Sequence, residues 1–76
     1  MIIYEEAYRK AKEIRPDINL CTEYENAYVF GAKEDENYIG GYGHTPVVII
    51  KEDGLVTNML ELEVIGAGKE IRSIFV

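Results

Sequence analysis

The chain has 76 residues, is 47% hydrophobic and 29% charged, and carries 14 acidic against 8 basic side chains for a net charge of −6. That length makes one domain, residues 1–76, burying only about 60% of the surface its unfolded form exposes, with little room for a deep cavity lined by its own side chains. The negative surplus excludes nucleic-acid backbones and anionic membrane surfaces as natural partners and admits a basic protein.

The charge is uneven. Residues 1–16 set Glu5, Glu6 and Glu13 against Arg9, Lys10, Lys12 and Arg15, a net +1, so the remainder of the chain carries −7. Cys21 is the only cysteine, so no internal disulfide is expected, and a lone thiol at a strand-like position usually behaves as a small inert hydrophobe. With no basic-then-apolar leader and no apolar run near the roughly 20 residues of a membrane helix, the expected compartment is the cytoplasm.

In chain order, Ile3, Tyr4, Ala7, Tyr8, Ala11 and Ile14 recur at spacings of three and four, which predicts a helix over residues 3–15 with one apolar stripe. Glu5 with Arg9 and Glu6 with Lys10 are i,i+4 pairs in the favourable order. Pro16 disfavours helical geometry at Arg15 and ends the helix. Residues 18–24 and 27–33 then read as a hairpin around Glu25 and Asn26, with Asn26 tolerating positive φ. In that register Cys21, Tyr28 and Phe30 share one face and are expected to meet the helix, while Leu20, Thr22, Tyr24 and Val29 share the other.

Residues 34–45 form a connection of about a dozen residues, long enough in a compact domain to be functional or mobile. Beyond it, Val47 to Ile50 are a β-branched run bounded by Pro46 and by Asp53 and Gly54. This predicts a strand buried on both faces and a turn over Glu52, Asp53 and Gly54, the glycine taking the left-handed conformation. Residues 58–67 admit two readings. Leu60, Leu62 and Val64 alternate with Glu61 and Glu63 as in a strand, whereas Asn58 followed three positions later by Glu61 suggests a helix cap, with Leu60, Val64 and Ala67 at helical spacing and Gly66 or Gly68 as the stop. The helix is the reading adopted. Residues 70–76 read as a short terminal strand with Ile71, Ser73 and Phe75 facing one way.

The expected architecture is therefore α+β: an N-terminal helix packed on an antiparallel sheet of two hairpins, followed by a short helix and a terminal strand. The expected core is Tyr4, Ala7, Tyr8, Ala11, Ile14, Tyr28, Phe30, Val48, Ile50 and Val56.

Motifs that would carry chemistry are weak. The glycines at 40, 41 and 43 lack the spacing of a phosphate-binding loop and the Lys-Ser/Thr that follows one. His44 has no second histidine and no zinc-type spacing around it, and Glu34, Asp35 and Glu36 lack the alternating pattern of a calcium loop. Ser73 is the only serine, and no nucleophile has an evident base. No catalytic residue, metal ligand or cofactor-binding residue is assigned, and the expectation is a protein without enzymatic activity or cofactor.

Three stretches resemble a family of small bacterial immunity proteins, immunity protein 35. Residues 23–30 are similar to that family's acidic turn followed by an aromatic-Val-Phe strand. Residues 41–46 are similar to its glycine-containing lead-in to a proline, and residues 47–54 to its hydrophobic strand ending in a basic residue and an Asp-Gly turn. The resemblance implies a non-enzymatic cytoplasmic protein that binds and blocks a toxin delivered by a neighbouring cell, and it carries over no catalytic residues.

The expected partner is thus a protein, in that reading a basic toxin domain. The other reading is a homodimeric or larger structural or accessory module encoded by a phage or other mobile element. The expected contact residues lie in the connection: Glu34, Asp35, Glu36, Tyr38, Tyr42 and His44. Tyrosines there would supply contact area of low conformational entropy, and acids would steer a basic partner.

Overall fold

The computed structural model describes residues 1–32 and 46–76. Its elements run α1 (Tyr4–Ile14), β1 (Leu20–Tyr24), β2 (Ala27–Gly31), β3 (Val47–Ile50), β4 (Val56–Thr57), α2 (Met59–Ile65) and β5 (Glu70–Phe75). The strands form one antiparallel sheet in the order β4-β3-β2-β1-β5. This is an α+β fold with a helix on each side of the sheet.

β3 lies in the sheet interior, and all four of its residues are buried. Val47 and Ile49 join Cys21, Tyr28, Phe30 and Ile18 under α1, while Val48 and Ile50 join Ala27 and Leu62 under α2. Ala7 and Ala11 have no exposed surface, so small residues let α1 sit close to the sheet. Tyr4 and Tyr8 are half-buried beside it and pack with Tyr28 and Phe30, ring centroids 5.9–6.3 Å apart. Such spacing falls in the range of favourable aromatic pairs.

The turn after β3 follows the chemistry of its residues. Gly54 has φ +72°, its N–H donates to the Ile50 carbonyl, and the Asp53 carboxylate accepts from the Leu55 N–H at 3.0 Å. Lys10 Nζ donates to the Gly54 carbonyl at 3.1 Å, tying α1 to the turn. The region after β4 resolves as helix: the Asn58 side chain accepts from the Glu61 N–H at 2.9 Å, and Gly66, with φ +93°, ends α2.

Several details differ from the sequence-based expectations. Ile14 is 54% exposed and Val56 42% exposed, so neither belongs to the core. Ile14 is the last residue of α1, and Val56 lies on a two-residue edge strand; the two line one open cleft beside Pro46. Ile3 is exposed, and Ile2 is buried in its place, its N–H donating to the Lys51 carbonyl. Asn26 does not take positive φ. Tertiary hydrogen bonds hold that turn instead: the N–H groups of Glu25 and Asn26 donate to the carbonyls of Lys69 and Ala67, and Asn26 Nδ2 donates to the Gly66 carbonyl. On α2 the inward residue is Leu62, while Leu60 and Val64 point outward.

Candidate functional site

The residues expected from sequence to contact a partner, Glu34, Asp35, Glu36, Tyr38, Tyr42 and His44, lie outside the described residues. Two other places in the described fold draw chemistry or exposed apolar surface together.

The first is an ionic cluster under the N-terminal end of α1. The register places Glu23 two residues from Cys21 on the α1 face of β1, and Lys51 two residues from Ile49 on the same face of the sheet. Lys51 Nζ donates to Glu23 Oε2 at 2.6 Å and stands 4.9 Å from the centre of the Tyr28 ring. Arg72, opposite Glu23 on β5, donates from Nε to Glu23 Oε1 at 3.0 Å. Lys51 and Glu23 are largely shielded, whereas Arg72 is half exposed.

The electrostatics of this cluster are self-contained. The Lys51 hydrogen bond, helped by Arg72, outweighs partial burial and holds the Glu23 carboxyl below its usual value. Burial, with Glu23 adding to it, pushes the Cys21 thiol up to about 12, so the thiol stays protonated and unreactive. Burial also raises Tyr28 and Tyr4. Each charge in the cluster has its partner, which describes a structural network rather than a poised acid or base. Among the described residues no group of three or more His, Cys, Asp and Glu side chains is placed to share a metal ion, and no buried side-chain polar atom lacks a hydrogen-bond partner.

The second place is the opposite side of the sheet. α2 covers β2 and β3 through Leu62, and among the described residues no helix lies over the neighbouring half of that face, formed by β1 and β5. Its floor consists of Leu20 beside Phe75, Thr22 beside Ser73 and Tyr24 beside Glu70. The Thr22 and Ser73 hydroxyls are 3.1 Å apart and satisfy each other. Phe75 is 71% exposed, and Ile71, at the bulge in the β1–β5 pairing, is also exposed. Leu60 on α2 is 75% exposed and Val64 83%. Exposed apolar side chains grouped in this way are a general feature of surfaces that bind other molecules.

Sequence reasoning missed both places, although the alternation held a signal for each. Glu23 and Lys51 occupy register positions that face the core, where an unpaired charge would be costly. Leu60 and Val64 lie two residues from Leu62 on either side, so a helix that buries Leu62 turns both outward.

Among the described residues no helix is long and apolar enough to cross a membrane. Comparisons of the chain with family models, curated proteins and solved structures return no match.

Proposed function

We propose that this chain is a non-enzymatic protein-binding domain that neutralises a bacterial toxin in the cytoplasm, the role its resemblance to the immunity proteins implies. The observation that supports the protein-binding reading is the exposed apolar surface of α2, where Leu60 is 75% and Val64 83% exposed, in a domain whose described buried polar side chains are satisfied. Exposing such side chains is unfavourable in water and is offset when a partner covers them. The connection bearing Glu34, Asp35, Glu36, Tyr38, Tyr42 and His44 is proposed as a further contact; it rejoins the described fold at Pro46, which shares an open pocket with Met59 and Leu60.

The test is co-expression of the chain with each polypeptide encoded beside its gene. The expected result is that one of them arrests growth alone, and that the chain restores growth and co-purifies with it. Absence of both rescue and complex across those neighbours would refute neutralisation. A second reading, a homo-oligomeric accessory module, is favoured by one observation: among the described residues β5 pairs with β1 alone and so stands at a sheet edge, where strands of other copies can add. Sedimentation velocity separates the two, a concentration-dependent dimer supporting the second.

A further inference from the structure

Between Lys51 and Lys69 the chain has four acids, Glu52, Asp53, Glu61 and Glu63, and no base. Two of these acids lie on α2, and helical geometry fixes where they stand. At about 100° per residue, with Leu62 turned to the sheet, Leu60 and Val64 fall within about 20° of the opposite direction. Glu61 and Glu63 fall on the two flanks, about 100° to either side of Leu62. Burial agrees, since Leu62 is buried while Leu60 and Val64 are largely exposed. The i,i+4 spacing sets Leu60 and Val64 about 5–6 Å apart at Cβ, so they form one apolar ridge along the helix with a carboxylate on each side. Ile65, also exposed, widens the apolar surface on the Glu61 flank.

The fold does not account for this ridge. α2 is held by Leu62 in the core, by Met59 and Ala67 packed against it, and by the Asn58 cap. An exposed valine is a poorer helix former than lysine or glutamine, so Val64 gains α2 nothing at its outward position.

The sheet also separates charge. The exposed bases Arg9, Lys10 and Lys12 belong to α1, and Lys51 and Arg72 lie on the α1 side with Glu23. α2, on the other side, carries acids alone. Two copies meeting ridge to ridge would set Glu61 and Glu63 against the same carboxylates of the other copy, whichever way the helices ran.

From the apolar ridge, its two acidic flanks and the lack of any base on α2, we infer that α2 docks a partner protein through an apolar surface bordered on both sides by Lys or Arg. Leu60 and Val64 pack on that surface, and Glu61 and Glu63 meet its basic borders. The inference deepens the protein-binding reading and rests on it, but not on the partner being a toxin. Burial of the ridge favours the complex, and the carboxylates fix orientation and speed association.

The probe is a synthetic 18-residue helical peptide with a leucine stripe flanked on both sides by lysines. It is compared with the same peptide carrying glutamates in place of lysines and with one carrying serines in place of leucines. Fluorescence anisotropy at physiological salt gives affinity, and amide chemical-shift mapping gives position. The leucine-lysine peptide is expected to bind with shifts concentrated on α2, and both control peptides to bind at least tenfold more weakly. Leu60→Ser with Val64→Ser, and separately Glu61→Lys with Glu63→Lys, should each weaken it at least tenfold. Glu5→Lys with Glu13→Lys makes the same change of net charge on α1 and should leave affinity within twofold.

Equal binding of the glutamate peptide, shifts confined to α1, an equal loss in the α1 variant, or no binding by any peptide would overturn the inference. So would a wild-type dimer in sedimentation that Leu60→Ser with Val64→Ser dissolves, since a second copy would then be the occupant. Nuclear Overhauser contacts from the Leu60 or Val64 methyls to residues 34–45 in the free chain would overturn it too, the chain's own connection then being the cover. If the chain neutralises a neighbouring toxin and the Leu60→Ser, Val64→Ser variant, folded by circular dichroism, neutralises it equally, the docking surface is wrong while the function stands. If no neighbour is neutralised yet the peptide maps to α2, the function is wrong and the surface stands.

Discussion

Replacing Glu23 with glutamine tests whether the ionic cluster under α1 stabilises the fold. The substitution keeps shape and removes charge, leaving the Lys51 ammonium, whose side chain is 10% exposed, without its carboxylate. Breaking a buried pair by removing one member costs about 3–5 kcal/mol, and the partial exposure of Glu23 places the expected loss near 3. A domain of this length has about 4–11 kcal/mol in total, so the effect is large. Lys51→Met should cost less, because Glu23 retains Arg72 at 3.0 Å. Arg72→Ala removes a half-exposed partner and should cost under about 1 kcal/mol. The double variant Glu23→Gln with Lys51→Met should return to within about 1 kcal/mol of wild type, since an uncharged pair replaces a desolvated ionic one. The pH dependence has a definite sign. The folded-state pKa of Glu23 is depressed, so its contribution is complete above the unfolded value and is lost as pH falls through the folded one. Urea unfolding followed by circular dichroism at pH 7 and at steps down to pH 3 measures all of this. A Glu23→Gln protein within about 0.5 kcal/mol of wild type at pH 7, with an unchanged acid slope, would refute the argument; the marker value is well below the expected loss.

Three further outcomes follow from packing and backbone geometry. Phe30→Ala removes a fully buried ring from the centre of the α1 face and should cost about 3–5 kcal/mol by urea unfolding; a near-native variant would contradict the core assignment. Gly66→Ala and Gly68→Ala both force a side chain into positive φ, at about 1–2 kcal/mol each. Only at Gly68 would the new Cβ also meet Glu25, at 2.9 Å from its Cβ, so Gly68→Ala should be the more destabilising; the reverse order of melting temperatures would contradict the geometry. Cys21 should be inert to a thiol reagent at pH 8 in the native protein and fully reactive in urea, whereas rapid native modification would show that β1 opens readily.

Elements whose signal is local were legible in the sequence. The stripe of Ala7 and Ala11, the stop at Pro16, the buried run from Val47 to Ile50, Gly54 in its turn and Asn58 as a cap each appear where residue chemistry puts them. What was not legible depends on contacts remote in sequence. Asn26 was read as a turn residue because it tolerates positive φ, but carbonyls of Gly66, Ala67 and Lys69 hold the turn from forty or so residues away, and its backbone has no need to invert. Ile14 and Val56 have the right residue type for the core, yet each lies where its element ends. The partner-binding residues proposed in the connection lie outside the described residues, while the β1–β5 half of the α2 face depends on β5 pairing with β1, which no local pattern encodes.

The difference between the two faces of the β1–β5 half traces to side-chain reach. α1 also sits over the β2–β3 half, yet Tyr4 and Tyr8 extend from its flank and pack with Phe30 and Tyr28, in a cluster that includes Cys21 and Ile74. Two aromatic side chains thereby cover strands that the helix backbone does not reach. On the opposite face α2 has only seven residues, and the flank it turns toward β1 offers Met59, Glu63 and Leu60. A glutamate cannot close over Tyr24, with which it shares a pocket, without desolvating its own charge, and Leu60 projects upward from the helix rather than down onto the floor. Replacing Glu63 with tyrosine would give α2 the reach that Tyr8 gives α1. That substitution should lower the exposure of Tyr24 and raise stability modestly. A Glu63→Tyr variant that melts below wild type, or whose Tyr24 stays as accessible to solvent as before, would show that the new ring does not reach the floor.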